Sequence, residues 1–489
     1  MSAAPQMAAP PARDERSPSA GLMIVGAPIL LAIACVAAKY GLLPVGSGLR
    51  VGMIFALLVA LMLTGMPISI ALGLTVMTFL FTLTDVPMDS VALKLFTGIE
   101  KFEIMAIPFF ILAGNFLTHG GVARRMINFA SAMVGHWHGG LGLAGVVACA
   151  LFAAVSGSSP ATVVAIGSIL LPAMVRAGFP QRFGAGVITT SGALGILIPP
   201  SIVMVMYAVA TSGMQVEGPT GEKIGSASVG QLFMAGVVPG IMLASLLGAT
   251  TFYRAWKNDY PRLPKASWGE RFRTFRESIW GLLLIVIVIG GIYTGAFTPT
   301  EAAAMSAVYS FLIAVFLYKD MTLADVPRVL LSSANMSAML LYIITNAVLF
   351  SFLMTSEQIP QTMANWIQGS GLNWITFLLV VNLLLLLAGN VMEPSSIVLI
   401  MAPILFPMAA KLGIDPVHFG ILIVVNMEVG MCHPPVGLNL YVASGITKMG
   451  ITELTVAVWP WLLTMLVFLG VVTYWPDLSL WLPRALGMM

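Results

Sequence analysis

Residues 156–213 read SGSSPATVVAIGSILLPAMVRAGFPQRFGAGVITTSGALGILIPPSIVMVMYAVATSG, and residues 389–446 read GNVMEPSSIVLIMAPILFPMAAKLGIDPVHFGILIVVNMEVGMCHPPVGLNLYVASGI. Each stretch opens with a short polar cluster that contains a proline, and continues through an apolar arm, a glycine-containing turn and a Phe-Gly pair. Each then enters a second apolar run that breaks at a glycine shortly before a Pro-Pro pair. The same features recur in the same order, so the chain contains an internal duplication.

Composition indicates a membrane protein. Of the 489 residues, 58% are hydrophobic and 9% are charged, whereas a soluble domain carries roughly 25% charged residues. A spanning helix needs about 20 apolar residues, and the chain lacks the short alternating segments of an outer-membrane barrel. The sequence therefore predicts an all-α polytopic membrane protein. Its net charge of +3 gives no nucleic-acid footprint, and its three cysteines lie in apolar runs without metal-ligand spacing.

The chain is predicted to have six parts. A Pro- and Ala-rich start is typical of a disordered tail, and the connection between the halves holds seven basic residues against three acidic ones, which places it in the cytoplasm. The parts are a disordered tail (1–20), an extra N-terminal transmembrane helix (21–48), a first repeat with hairpin 1 (49–252), a basic cytoplasmic loop (253–277), a second repeat with hairpin 2 (278–447) and a C-terminal transmembrane helix (448–489). A secretory signal is the competing interpretation of the extra helix, but the charge-balanced tail lacks a net-positive start.

The polar clusters are predicted to be the tips of re-entrant helical hairpins. The arms around the first cluster have about 17 residues each, or about 25 Å of helix, which is short for a ~30 Å hydrocarbon core. Ser156 to Ser159 are polar and uncharged, as suits a turn inside protein. Residues 389–393 join two further apolar arms in the same way.

The Pro-Pro pairs are predicted to interrupt membrane helices. Proline lacks the N–H donor of the helical ladder, and bare carbonyls are costly in hydrocarbon unless they face protein, water or an ion. The exposed C-terminal carbonyls suit Na⁺, and the N-termini of half-helices suit a carboxylate. Proline and glycine are common in membrane helices, so one break alone could be structural. Two breaks at matched positions favour the binding site of a secondary transporter.

Several polar residues lie in apolar surroundings. Glu393 and Glu428 are costly there and are candidate functional groups, although Glu428 could also be paired structurally. Asn390, Asn426 and Asn439 are neutral oxygen donors. His433 could relay protons, but a hydrogen-bonded structural role is the preferred interpretation. His136 and His138 are interpreted as interfacial residues, and Arg124 and Arg125 as topological anchors.

At these residues the chain resembles the large membrane subunit of the tripartite ATP-independent periplasmic (TRAP) transporters. The resemblance runs from about Arg50 to the C-terminus, and the run after Asn426 is most similar to the C4-dicarboxylate branch. The motifs that carry it are Ser156-Gly157-Ser158, Gly195-Ile196-Leu197-Ile198-Pro199-Pro200-Ser201, Thr298-Pro299-Thr300-Glu301-Ala302-Ala303 and Pro434-Pro435-Val436-Gly437-Leu438.

The resemblance implies an elevator-type, inverted-repeat transporter in the bacterial inner membrane. It would import a C4-dicarboxylate or related organic acid, delivered by a periplasmic binding protein and coupled to the Na⁺ gradient, beside a small membrane subunit on a separate chain. It implies no catalytic residue and no cofactor other than the coupling ion. Many members have an acidic residue where this chain has Thr162, and aspartate is frequent at the position of Glu393.

We expect Na⁺ to bind between each hairpin tip and its Pro-Pro break, mainly on backbone carbonyls and hydroxyls. The predicted sodium ligands are Ser156, Gly157, Ser191, Gly195, Pro199, Gly389, Asn390, Glu393, Asn426, Gly430 and Pro434. The predicted substrate-binding residues are Ser158, Ser159, Thr162, Ser395, Ser396 and Asn439.

Two other classes of function stay open at this point. One is a proton-coupled carboxylate carrier that works without a binding protein. The other is an intramembrane enzyme, which would need a nucleophile–base pair or a metal cluster, and no histidine has such a partner in sequence. The chain has no Walker A motif, which argues against an ATP-driven pump.

Overall fold

The computed structural model of the protein describes residues 18–44, 46–84, 86–359, 362, 369, 371, 373–390, 392–434 and 437–489. Most of the predicted tail, residues 1–17, lies outside the described residues. So do Val391 of the second polar cluster and Pro435 and Val436 of the second Pro-Pro motif.

The described chain is built from helices. The helices of the first half are α1 (Pro18–Lys39), α2 (Ser47–Leu63), α3 (Ile68–Thr82), α4 (Met88–Ile99), α5 (Ala106–His119), α6 (Val122–Val134), α7 (Gly140–Ser156), α8 (Ser159–Arg176), α9 (Gln181–Gly192), α10 (Ile202–Thr211) and α11 (Val229–Lys257). Those of the second half are α12 (Trp268–Tyr293), α13 (Pro299–Leu312), α14 (Val326–Ser356), α15 (Trp374–Gly389), α16 (Pro394–Lys411), α17 (Pro416–Cys432), α18 (Leu438–Thr447), α19 (Ile451–Tyr474) and α20 (Asp477–Ala485).

Eight helical segments of the described chain are long and apolar enough to cross a bilayer. The predicted helical, polytopic class is therefore confirmed. The exception to pure helix is a small antiparallel hairpin of β1 (Gln215–Glu217) and β2 (Lys223–Gly225), which lies in the predicted polar loop between α10 and α11.

The chain divides into two compact units, residues 1–92 and 93–489. In the first unit, α1, α2 and α3 pack on one another. The long apolar run from Arg50 is divided at Gly65, whose φ of +82° is a conformation that favours glycine. Pro67 follows as the N-cap of α3. The hydroxyl of Thr64 donates to Leu61 O at 2.6 Å and so helps to close the end of α2.

The second unit has a buried helical centre. In α17, every residue from Val417 to Cys432 is buried, and α9 and α10 are nearly as enclosed. In α16, 83% of the span-length window is buried, against 28% in α12. A helix that is apolar on all sides lies either among other helices or against lipid, and burial distinguishes the two cases. The two duplicated stretches therefore form the core, and α12 leaves a broad apolar side uncovered by described residues.

Helix starts follow local chemistry. Ser228 with Gln231, and Thr298 with Glu301, form capping boxes at the starts of α11 and α13. Asp415 caps α17 by accepting from the N–H groups of Val417 and His418. These caps explain why the helices begin where the polar residues lie.

Two expected segments have different bounds in the structure. The predicted basic loop 253–277 is largely helical, because α11 continues to Lys257 and α12 begins at Trp268. The hydroxyl of Ser267 caps α12 and so moves its start towards the loop. The C-terminal segment holds a second short helix, α20, which packs against α11 and α17.

Candidate functional site

The first hairpin tip comprises residues 156–159, between α7 and α8, which pack on each other. Gly157 turns the chain with a φ of +62°. A Cβ on Gly157 would lie 2.8 Å from Pro200 O. The Ser156 hydroxyl lies 3.0 Å from that of Thr162, which donates to Ser158 O at 2.9 Å. The tip is therefore a closed, neutral turn in backbone contact with the Pro-Pro segment.

The first Pro-Pro segment separates α9 from α10. Helical hydrogen bonding continues as a 3₁₀ turn over Ala193–Ile196 and resumes in α10. The Ser201 hydroxyl donates to Ile196 O at 2.5 Å and accepts from Met204 N at 3.3 Å, which bridges the two helix ends. A Cβ on Gly195 would lie 2.7 Å from Ser158 O. Glycine at this position lets the segment contact the first tip.

The second hairpin tip, residues 389–393, repeats this arrangement between α15 and α16. A Cβ on Gly430 of α17 would lie 3.0 Å from the Cα of Gly389. The amide oxygen of Asn390 lies 2.9 Å from Nδ1 of His433, which follows α17. In both halves, therefore, the structure brings the tip against the segment that carries the prolines. In the second half, Pro434 belongs to the described residues and Pro435 does not.

Glu393 gives the second tip a carboxylate. It occupies the N-cap position of α16 and is partly buried. The Ser395 hydroxyl donates to its Oε1 at 2.6 Å, and the Ser396 hydroxyl donates to its Oε2 at 3.3 Å. Both serines are predicted substrate-binding residues, and in this structure their hydroxyls donate to Glu393.

A buried contact joins the two repeats. The side-chain amide of Asn439 in α18 and the hydroxyl of Ser159 exchange hydrogen bonds of 2.8 Å and 3.1 Å. The Asn439 amide also points at Thr189 O, at 3.4 Å. Both side chains are fully buried, so these two predicted substrate-binding residues hold the first tip on the second repeat.

A cavity of about 420 Å³ lies between the two tips on one side and α5 and α14 on the other. Its other walls come from Ile196, Ile202 and Val203 near the first Pro-Pro segment and from Met431 and Leu438 near the second. The predicted site residues that line it are Ser156, Gly157, Ser158, Ser159, Glu393 and Ser395. Among the described residues that line it, none is a lysine or an arginine.

The opposite wall was not predicted from the sequence. Asn115 and Thr118 of α5 line the cavity together with Met336, Met339 and Leu340 of α14. The side-chain amide of Asn115 donates to the hydroxyl of Ser333 at 2.7 Å, across 218 positions of sequence. Asn115 is a polar residue inside an apolar run, which is a sequence signal for a functional position. Its hydrogen-bond partner, Ser333, could not be predicted from the sequence.

The remaining predicted site residues do not line the cavity, and all of them are buried except Pro434, which is partly exposed. They are Thr162, Ser191, Gly195, Pro199, Ser396, Gly389, Asn390, Asn426, Gly430, Pro434 and Asn439. The hydroxyl of Ser191 is buried and has no hydrogen-bond partner among the described residues. It is therefore an oxygen available to a cation.

Asn426 takes part in a separate buried chain of hydrogen bonds. Its amide donates at 2.8 Å to Oδ1 of Asn382 in α15, whose own amide donates at 2.8 Å to the hydroxyl of Thr473 in α19. The remaining oxygen of Asn426 is buried without a partner in the described chain. This chain of hydrogen bonds joins α17, α15 and α19.

Glu428 is fully buried in α17. Neither of its carboxylate oxygens has a hydrogen-bond partner among the described residues. A buried carboxylate without a partner is costly, so it must be neutralised by a proton or a cation. The predicted structural pairing of this residue has no support in the described residues.

The matching sequence family covers most of the chain. Residues 55–478 match the family described as "Tripartite ATP-independent periplasmic transporter, DctM component". The chain belongs to the DctM family. The resemblance to TRAP large subunits is therefore confirmed, and with it a multi-pass protein of the bacterial inner membrane.

Several relatives of this DctM-family chain carry the name "C4-dicarboxylate TRAP transporter large permease protein DctM", including those of Rhodobacter capsulatus and Pseudomonas aeruginosa. That of Rhodobacter capsulatus is 80% identical over 435 residues, which is 89% of this chain and 99% of the relative. That of Pseudomonas aeruginosa is 55% identical over 399 residues, which is 82% of this chain and 90% of the relative. The family is one of transporter permeases and not of enzymes.

Among solved structures, the YdaH transporter of Alcanivorax borkumensis is similar to this DctM-family chain in fold. The TM-score is 0.54 at 17% identity, covering 82% of this chain and 90% of the other. At this identity the likeness concerns the fold alone. The sequence family is what places the chain among membrane transporters.

Proposed function

We propose that this protein imports C4-dicarboxylates, or a related small organic acid, together with Na⁺, using substrate delivered by a periplasmic binding protein. The observation that supports the proposal most directly is the cavity between the two hairpin tips. The duplicated segments line one side of it, α5 and α14 line the other, and its two tips differ in charge. The names of the two relatives support the choice of substrate class.

The first tip is suited to a substrate carboxylate. Ser158 is the N-cap of α8, and no side chain caps that helix start. Free N–H groups and the positive end of the helix dipole favour an anion at such a position. The Ser158 hydroxyl lines the cavity and has no hydrogen-bond partner among the described residues. The Ser158 hydroxyl is therefore free to donate a hydrogen bond to a substrate carboxylate.

The second tip is suited to a cation. The Glu393 carboxylate lies at the cavity wall, where it would repel a substrate carboxylate unless a positive charge accompanied it. Na⁺ bound beside Glu393 would cancel this repulsion and so link substrate binding to ion binding. Backbone carbonyls where Gly389 meets α17 would supply further oxygen ligands.

Movement of the hairpins past a fixed wall is the natural transport step. The cavity has the tips on one side and α5 and α14 on the other, so displacement of the hairpins along these helices would carry the bound solute across the membrane. This is an elevator mechanism. A small TRAP membrane subunit, on a separate chain, is the partner we propose in the bilayer.

The test is uptake into proteoliposomes that contain the permease and its small subunit, with the cognate binding protein outside. Malate, succinate and fumarate should each be screened under an imposed Na⁺ gradient, with a K⁺ gradient as the control. We expect concentrative uptake with Na⁺ and with the binding protein. Equal accumulation without Na⁺ would contradict the coupling.

A proton-coupled carrier that needs no binding protein is the second candidate. The unpartnered carboxylate of Glu428 favours it, because protonation would remove the cost of burial. A pH gradient that drives uptake without Na⁺ and without the binding protein would support this alternative over the first.

A further inference from the structure

A second, smaller cavity of about 220 Å³ lies outside the candidate site. Two lysines, Lys94 and Lys101, line it. Their neighbours in its wall are Val209, Ala210, Ser212, Met214, Ala347, Val348, Ser351, Phe352, Thr355, Leu399 and Pro403. We refer to this cavity as the lysine vestibule.

The lysine vestibule and the candidate site share three helices. α10 contributes Val203 to the site and Val209 to the vestibule. α14 contributes Leu340 and Ala347, and α16 contributes Ser395 and Leu399, in the same way. At 1.5 Å per residue, the vestibule lies about 6–10 Å further along these helices. The two cavities are therefore stacked on the same helices.

The vestibule lies towards the periplasmic side. The basic connection between α11 and α12 marks the cytoplasmic side, and α11 is about 44 Å long, enough to cross the bilayer. The start of α11 is therefore periplasmic, together with the β-hairpin that joins it to α10. The vestibule contains Val209 and Ser212 at that end of α10.

The two ammonium groups have donors to spare. The Lys101 ammonium points at Val209 O at 3.3 Å and Ser212 O at 3.5 Å, which leaves one of its three N–H groups. The Lys94 ammonium lies 5.5 Å from the ring centre of Phe352. Among the described residues, neither lysine has a carboxylate within ion-pair distance.

The pKa of Lys101 is lowered, as expected where little negative charge lies near an ammonium group. Burial lowers the pKa of Lys101; Glu103 raises it in part, and Lys94 lowers it further. An arriving carboxylate would raise the pKa again. The cavity volume equals that of about seven liquid waters at ~30 Å³ each, which is room for a four-carbon dicarboxylate.

We propose that the lysine vestibule is an access site for organic dianions, where Lys94 and Lys101 bind the substrate before it reaches the cavity between the tips. The inference rests on the proposed function, since it takes the substrate to be a carboxylate. The part of the candidate site that the structure describes has no lysine or arginine in its lining, so a cationic site on the periplasmic side would raise the local anion concentration.

Occupancy of the vestibule can be tested without transport. Ser351 lines it, and Ser351→Cys places a small thiol beside the lysines. The natural cysteines Cys35, Cys149 and Cys432 are buried and give little background. The rate of labelling by a membrane-impermeant cationic thiol reagent is measured on the full chain in proteoliposomes, with and without succinate.

We expect succinate to slow labelling at least fivefold and the neutral diamide succinamide to leave it unchanged. In the same background, Lys94→Gln with Lys101→Gln should abolish the protection, and Lys101→Arg should retain it. Lys223→Cys on the nearby β-hairpin is the control, and its labelling should not respond to succinate. Ser158→Ala should leave the protection intact, because it alters the candidate site and not the vestibule.

Three outcomes would overturn the inference. They are protection by succinamide equal to that by succinate, protection that survives removal of both lysines, and a Ser351→Cys thiol that the reagent does not reach. Failure of the proposed function is a separate result, since it would appear as absent uptake by the unmodified protein.

Discussion

The first hairpin tip (156–159) and the second (389–393) occupy matching places in the duplicated sequence, yet their polar groups serve different purposes. In the first, hydroxyls and carbonyls satisfy one another, and Ser158 faces the cavity at an uncapped helix start. In the second, two serine hydroxyls converge on the carboxylate of Glu393. One backbone plan thus carries a neutral tip and an acidic tip.

This difference teaches how a duplicated fold can bind two unlike solutes. Both tips begin a helix with a positive dipole end, which favours an anion. The neutral tip keeps its preference for an anion. At the other tip, the carboxylate of an N-cap residue already lies at the positive helix end, so a further ligand there would have to be a cation. Under the proposed function, the single residue Glu393 would reverse the charge preference of its tip.

Glu393→Gln is expected to have the largest effect. The amide has the same size but no charge, so Na⁺ loses its anionic ligand. Uptake under a fixed Na⁺ gradient should fall about 100-fold, which corresponds to about 2.7 kcal/mol. The dependence of the remaining uptake on Na⁺ concentration should be shallower. The measurement is initial uptake in proteoliposomes at varied Na⁺.

Glu217→Gln on the exposed β1 strand is the matched control for this charge removal and should transport normally. If Glu393→Gln also kept the full uptake rate and Na⁺ dependence, the charge of Glu393 would have no role in ion binding, and the proposed difference between the two tips would be wrong.

Gly195→Ala and Gly430→Ala compare how tightly each tip packs against its proline-containing segment. At Gly195 a Cβ would meet the backbone of Ser158 and Ser159 at 2.7–2.8 Å, and backbone cannot yield. We expect a loss of about 1–3 kcal/mol, seen as a lower thermal midpoint of the purified protein. At Gly430 the nearest atom is at 3.0 Å, so the loss should be smaller.

Gly470→Ala in α19 is the control, because a Cβ there meets nothing within 4 Å. A Gly430→Ala variant that is less stable than Gly195→Ala would show that the second tip packs more tightly than these distances indicate.

Ser158→Ala should have the smallest effect. It removes one hydrogen bond to a substrate carboxylate, so the KM for succinate should rise about tenfold, or about 1.4 kcal/mol. Stability should be unchanged, since this hydroxyl does not cap α8. Ser168→Ala, on an exposed position of the same helix, should leave KM as it is. An unchanged KM in Ser158→Ala would remove the first tip from the substrate site.

Sequence reasoning reached the helix boundaries because proline, glycine and capping residues act on their immediate neighbours. Gly157, Ser201 and Pro394 all lie at helix ends in the structure. Partners distant in sequence could not be predicted in this way. The Asn115–Ser333 and Ser159–Asn439 hydrogen bonds depend on how the helices pack.

The buried chain from Asn426 through Asn382 to Thr473 limits how hairpin 2 can be displaced. Each of its links is a 2.8 Å hydrogen bond in surroundings where an unpaired amide has no water to replace its partner. These bonds hold α15, α17 and α19 together. If hairpin 2 moves as the proposed function requires, α19 would have to move with it, and a partner subunit bound tightly to α19 would oppose that movement.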